Sequence, residues 1–98
     1  MDAADEHQLL AAARAGDEKA FGRFAVCHRP GLERFCGLML GCPLQGRQAV
    51  GETLLRCWSD LRLGAPPASG RIWLYRLATD ICLAELDRRE TRDELRPP

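Results

Sequence analysis

Five cysteines and two histidines are the residues of this 98-residue chain best suited to metal binding or nucleophilic chemistry. Cys27, His28 and Cys36 stand closest together, but zinc sites usually pair ligands two to four residues apart at both ends. The chain has no C-x-x-C pair, no catalytic-triad pattern around either histidine and no phosphate-binding glycine motif. We therefore expect no metal, no cofactor and no enzymatic activity, with most cysteines reduced and packed as small core residues.

The charge balance limits the partners that the chain can bind. Fourteen basic residues match fourteen acidic ones, which excludes a generally basic nucleic-acid coat and an acidic tail. Contact with nucleic acid would have to come from a local cluster of arginines, because Lys19 is the single lysine. No apolar run approaches 18 residues, and the acidic segment 1–6 is unlike a signal peptide. We expect a cytoplasmic protein with no membrane partner.

Apolar residues recur every three to four positions along nearly the whole chain, and this spacing predicts helices. The first predicted helix covers 5–14, and the second follows Asp17 and breaks or kinks at Pro30. After a stop at 41–43, the next helix covers 45–61, and the last begins near Ser69 and ends near Arg89. The fold class is therefore all-α, a compact bundle of four to five helices. We expect one domain over residues 1–90, followed by a tail or linker over 91–98.

Four segments resemble sequence motifs of bacterial sigma factors of the extracytoplasmic-function (ECF) group, in the family's order and spacing. They are LLAAARAGDEKAF at 9–21, HRPGLERF at 28–35, GETLLRCW at 51–58 and RIWLYRLATD at 71–80. The resemblance covers roughly residues 8–89 and implies the helical fold of the second sigma domain, region 2. It also implies two partners, the clamp helices of the β′ subunit of core RNA polymerase and the promoter −10 element. An anti-sigma factor is a third candidate partner.

Carried over by position, the helix at 45–61 is the family's polymerase-docking helix. The candidate docking residues are Gln45, Gln48, Gly51, Glu52, Leu55 and Arg56. The family begins this helix with an acidic cluster, but here Gln45, Arg47 and Gln48 replace three carboxylates and Glu52 alone keeps its charge. Loss of charge at the rim of an interface mainly slows association, and Arg47 adds repulsion toward a basic partner surface.

The segment from Leu63 to Arg89 corresponds to the family's promoter-facing part. The candidate promoter-DNA residues are Ser69, Arg71, Trp73, Arg76, Asp80, Arg88 and Arg89. Asp80 stands where the family has Asn, and Asp87 stands where it has a basic residue, so this helix is less basic than one that lies on DNA. The loop containing the two prolines at 66–67 is either a base-capture loop or a stiff connector.

Each of these candidates also has an ordinary structural role open to it. Trp73 fits core packing as well as base stacking, and Arg71 and Arg76 fit solvated or salt-bridged positions as well as DNA contact. Arg88 and Arg89 suit the carboxyl end of a helix, where the helix dipole favours positive charge.

Two functions therefore stay open from the sequence. The first is a sigma-factor domain that binds core RNA polymerase and recognises and melts the −10 element. The second is a degenerate sigma-like module that has lost DNA recognition. It would occupy an anti-sigma factor, compete for a polymerase surface or regulate an attached domain. The family's −35-binding helix-turn-helix is absent from these 98 residues, which indicates either a fragment or a one-domain relative.

Overall fold

Side-chain caps begin three of the four helices. In the computed structural model, which describes residues 2–64 and 68–97, the helices are α1 (Ala3–Arg14), α2 (Glu18–Leu40), α3 (Pro43–Leu63) and α4 (Gly70–Leu95). The carboxylates of Asp2 and Asp17 and the hydroxyl of Ser69 each accept a hydrogen bond from a backbone N–H three residues later. The predicted all-α fold and the predicted caps at Asp17 and Ser69 are thus confirmed.

A left-handed glycine separates α2 from α3. Gly41 has φ of 70° and follows the last helical residue of α2, a conformation that glycine adopts without steric cost. Pro43 occupies the first turn of α3, where its missing N–H leaves no hydrogen bond unmade. The predicted stop at 41–43 is confirmed, and α3 extends two residues beyond the predicted helix at each end.

Of the predicted break or kink at Pro30, the break is wrong, because α2 continues through this residue to Leu40, and the kink stays a prediction. Pro30 cannot bond the carbonyl of Val26, but both residues are exposed, so water can hydrate that carbonyl. Beyond the proline, Leu32 and Cys36 are fully buried and continue the core face of the helix. Burial of these side chains offsets the local cost of an internal proline, about 3 kcal/mol.

The core lies where α2, the central helix, packs against α3, α1 and α4. All four helices contribute fully buried side chains, among them Leu10, Phe24, Leu32, Val50, Cys57, Leu74 and Cys82. A Cβ at Gly46 of α3 would lie 2.5 Å from the backbone nitrogen of Gly37 in α2. The two backbones therefore approach too closely for any side chain at position 46, and this contact sets the depth of α3 in the bundle.

The end of α4 is helical where a tail was predicted. The helix does not fray after Arg89 but continues to Leu95, although residues 90–97 are all exposed and contribute nothing to the core. Charged pairs on one face of the helix hold these last turns, as described below. The domain boundary at residue 90 stays a prediction. None of the described helices combines the length and apolar character needed to cross a membrane.

Candidate functional site

The six candidate docking residues form one continuous strip on the outer side of α3. Positions 45, 48, 52 and 55–56 follow the three- and four-residue spacing of a single helix face, with Gly51 beside them. Gln48, Glu52 and Arg56 are exposed, and the Leu55 side chain is 72% exposed. We call these six residues the α3 stripe. Its exposed leucine and polar groups are accessible to a partner, although Leu55 is one of eight exposed large apolar residues in the described part of the chain.

A small groove runs between the α3 stripe and α4, with a volume of about 160 Å³. Its walls are formed by Leu40, Gln45, Gln48, Ala49, Glu52, Ile81, Glu85 and Arg88. The side-chain oxygen of Gln45 is buried there without a hydrogen-bond partner among the described residues. The groove therefore joins docking candidates on α3 to charged residues of α4, a connection that no sequence spacing indicates.

The thiols beneath these helices are structural. Burial raises the pKa of Cys57 to about 12, with a further contribution from the charge of Asp60. Burial and the neighbouring Cys82 thiol raise the pKa of Cys36 to about 12. Cys27 is exposed, so it does not share the buried position of Cys36. Across residues 2–64 and 68–97, no group of cysteine, histidine and acidic side chains is arranged to hold a metal ion.

The structure separates the seven promoter-DNA candidates into three places. Ser69, Trp73, Arg76 and Asp80 share one face of α4 by their spacing. Trp73 is half-buried against the core, whereas Arg76 and Asp80 are exposed. Arg71 lies on another side of the helix, where its guanidinium is 5.8 Å from the centre of the Tyr75 ring. Trp73 thus packs against the core with part of its surface still exposed, and its role in base stacking stays a prediction.

Arg88 and Arg89 do not continue the face formed by Arg76 and Asp80. Arg89 follows Asp80 by about 2.5 helical turns and so projects from the opposite side of α4. There its Nη1 donates a hydrogen bond to the backbone oxygen of Leu40 at 2.9 Å, at the end of α2. Arg88 donates from Nε and Nη2 to Oε2 of Glu85, at 3.0 and 2.7 Å. Both arginines are therefore held by groups of the protein itself.

The outward face of α4 is acidic. Its exposed residues are Ile72, Arg76, Asp80, Leu83, Asp87, Glu90 and Glu94. One positive charge stands among four negative ones, so this face repels phosphate over most of its length. Sequence analysis identified Asp80 and Asp87 as unfavourable for DNA but missed that they share a face with Glu90 and Glu94. The three- and four-residue spacing of these acids was the signal that could have identified the face.

The partners of Glu85 were also missed from the sequence. Its spacing of three, four and seven residues from Arg88, Arg89 and Arg92 places all four on one side of a helix, so this cluster was available to pattern analysis. The contact from Arg89 to Leu40 joins residues 49 positions apart, so pattern analysis could not have found it. The proposed base-capture loop, with prolines at 66 and 67, lies outside the described residues.

Comparison with known proteins finds one kind of relative. The chain is 37% identical over 79 residues to the ECF RNA polymerase sigma factor SigG of Mycobacterium tuberculosis, in strain CDC 1551 / Oshkosh and in strain ATCC 25618 / H37Rv. The match covers 81% of this chain and 20% of each relative, so the chain spans about a fifth of the curated proteins it matches. No protein-family model and no solved structure matches the chain.

Proposed function

We propose that this chain, which is 37% identical over 79 residues to the ECF RNA polymerase sigma factor SigG, acts in transcription initiation as a polymerase-binding domain. In this proposal the α3 stripe docks on the clamp helices of the β′ subunit of core RNA polymerase. The amino-terminal half of α4, with Arg71, Arg76 and the loop before Ser69, contacts the −10 element and its melted strand. The chain itself catalyses no reaction.

One observation supports the docking part most directly. Four of the six residues of the α3 stripe are exposed. Glu52 and Arg56 make no ion pair with any described residue, and Leu55 projects into solvent. A leucine surrounded by free polar groups gives a binding surface an apolar anchor with an adaptable rim. The core beneath the stripe is intact, with Val50 and Cys57 fully buried, so the stripe is presented on a rigid support.

Titration of the chain against purified core RNA polymerase at two salt concentrations tests this proposal. The matched variant carries Gln45→Asp, Arg47→Glu and Gln48→Asp, which restore the acidic cluster of the family. We expect the native chain to bind, and the restored variant to associate faster at low salt while differing little at high salt. If only the restored variant binds, the native chain has no affinity for core RNA polymerase, and the proposal is refuted.

A second candidate function is a sigma-like module that acts through protein partners and not through DNA. The acidic outward face of α4 favours it, because Asp80, Asp87 and Glu90 oppose phosphate contact. Binding of a −10 oligonucleotide to the native chain and to Asp80→Asn discriminates the two functions. A steep salt dependence in the native chain supports promoter recognition. Absence of binding by both proteins, with polymerase binding retained, supports the protein-binding module.

A further inference from the structure

Three arginines in the last turns of α4 surround a single carboxylate, that of Glu85. Oε2 of Glu85 accepts two hydrogen bonds from Arg88, and Oε1 accepts one from Nη2 of Arg92 at 3.2 Å. Nε of Arg89 lies 3.6 Å from the same Oε1. One negative charge is thus shared by three guanidinium groups, so these four side chains together carry two surplus positive charges. Asp87 and Glu90, on the outward face, bring the net charge of residues 85–92 to zero.

We propose that Glu85 is an internal counterion that occupies the donors of Arg88 and Arg92, so that a nucleic-acid phosphate must displace it before it can bind them. This inference rests on the proposed contact between α4 and nucleic acid, and it extends that contact from the amino-terminal half of the helix to Arg88 and Arg92, which lie on a different face. Glu85 is a positioning residue in this scheme, because it acts through Arg88 and Arg92 and touches no nucleotide.

The geometry of the cluster suits such an exchange. A phosphate presents two oxygens to a guanidinium in the same planar, two-bond arrangement as a carboxylate, so it competes for the same donors. The side chains of Arg88 and Arg92 are 57% and 65% exposed, and a phosphate can approach both from solvent. Arg89 is different, since it is 30% exposed and tied to the backbone oxygen of Leu40. Displacement therefore frees Arg88 and Arg92, while Arg89 stays a link between α4 and α2.

The hydrogen bonds also explain why the carboxylate stays ionised in this position. Bonds from Arg88, assisted by Arg92, lower the pKa of Glu85 below its usual value. Glu85 therefore remains a full counterion throughout the neutral range, and protonation near pH 7 does not release the arginines. Release of Arg88 and Arg92 needs either a competing anion or removal of the Glu85 carboxylate. The carboxylate can be removed by mutation.

The test compares Glu85→Gln with Glu90→Gln. Both changes add the same formal charge to α4, but Glu90 is exposed and makes no ion pair with a described residue. Each protein is titrated with a fluorescent single-stranded oligonucleotide of mixed sequence, followed by anisotropy from about 50 to about 200 mM salt. We expect Glu85→Gln to bind about tenfold more tightly than the native chain at low salt, with a log–log salt slope steeper by about 1. For Glu90→Gln we expect less than about a threefold gain.

Equal gains in the two variants would show that bulk charge alone acts, and no gain in Glu85→Gln would show that the arginines do not reach DNA. Either result overturns the inference. Glu85→Asp, which keeps the charge on a shorter side chain, guards against loss of the helix, and far-UV circular dichroism confirms that each variant is folded. Partial release in Glu85→Asp, intermediate between native and Glu85→Gln, agrees with the inference.

The outcome also separates this inference from the proposed function. If the native chain binds no oligonucleotide at low salt but Glu85→Gln does, the counterion is confirmed and native promoter recognition is refuted. If the native chain binds −10 DNA and Glu85→Gln gains nothing over it, promoter recognition stands and the counterion is refuted. Titration of Glu85→Gln with core RNA polymerase shows whether the α3 stripe across the groove is undisturbed.

Discussion

The α3 stripe and the last turns of α4 lie on opposite sides of one groove, but their charged side chains differ: those of the stripe are open to solvent, and the arginines of these last turns are paired within the protein. Glu52 and Arg56 on α3 are exposed and make no ion pair with the described residues. On α4, Arg88 and Arg89 are bound to Glu85 and to the backbone of α2. A charged side chain of the α3 stripe can therefore bind a partner directly. An arginine at the end of α4 must first give up its bond to Glu85 or to the backbone of α2.

The two regions also differ in what holds them in place. Under the α3 stripe, Gly46 and Gly37 bring two backbones into contact, so the position of α3 depends on the absence of a side chain. The turns of α4 beyond Arg89 touch no core and depend on ion pairs along a single helix. A packing defect should therefore disturb α3 strongly, while a change in charge should disturb the end of α4 weakly.

Gly46→Ala should have the largest effect, because it disrupts the packing of α3 against α2. The new Cβ would lie 2.5 and 2.6 Å from backbone atoms of Gly37, which cannot rotate away as a side chain would. We expect a loss of about 3 kcal/mol or more in the free energy of unfolding, measured by urea denaturation, because α3 must move off α2.

Gly51→Ala is the matched control on the same helix. A Cβ at Gly51 meets nothing within 4 Å, and alanine favours helix over glycine, so we expect a gain of about 0.5–1 kcal/mol. Similar effects at both positions would contradict the close helix crossing and would indicate that α3 lies farther from α2 than described.

Leu55→Asp should weaken polymerase binding with little effect on stability, because it removes the exposed leucine of the α3 stripe. Since the side chain is 72% exposed, the free energy of unfolding should change by less than about 0.5 kcal/mol. Affinity for core RNA polymerase should fall roughly tenfold to a hundredfold, because a buried charge would replace an apolar contact in the complex. Oligonucleotide binding, which belongs to α4 in our proposal, should not change. Surface plasmon resonance with immobilised polymerase measures the first effect.

Leu38→Asp provides the control for this substitution. Leu38 is 80% exposed on α2 and lies outside the stripe, so the same change of side chain there should leave polymerase affinity as it is. Equal losses at the two positions would mean that the charge of the protein, and not the stripe, controls association.

Local chemistry made most of the fold predictable from the sequence. Asp17, Gly41 and Ser69 mark helix ends through hydrogen bonds or backbone angles that involve only nearby residues. Pro30 shows where this logic fails, because its local preference for a break is outweighed by burial of Leu32 farther along α2. The outcome there depends on tertiary packing, which no short segment of sequence contains.

The site was predictable in part. Helical spacing placed the docking residues on one strip, and the same spacing applied to Glu85 would have shown that Arg88 is not a free cation. The groove beside Gln45 and the bond from Arg89 to Leu40 join distant segments and required coordinates. Arg88 and Arg89 were assigned to DNA contact from the resemblance alone. In the structure, Glu85 and the Leu40 carbonyl accept their hydrogen bonds, so neither side chain is free to bind a phosphate without an exchange.

Acidification should produce the smallest of these effects on the end of α4. The folded-state pKa of Glu85 lies below its usual value of 4.5, because Arg88 and Arg92 bond the ionised form. A group with a lowered folded-state pKa contributes stability that is present above the unfolded-state pKa and is lost as the pH falls through the folded-state pKa. The helicity of residues 88–95, followed by ¹³Cα chemical shifts, should therefore decline as the pH falls below about 4.5, by roughly a factor of two in the local helix–coil equilibrium. In Glu85→Gln, whose side chain carries no charge at any pH, the same shifts should be lower at neutral pH and should change less on acidification, where only Asp87, Glu90, Asp93 and Glu94 remain to be protonated at this end of α4. If native and Glu85→Gln proteins lose helicity in parallel, the ordering of this segment comes from helix propensity, and the difference drawn between α3 and α4 would have to be abandoned for these last turns.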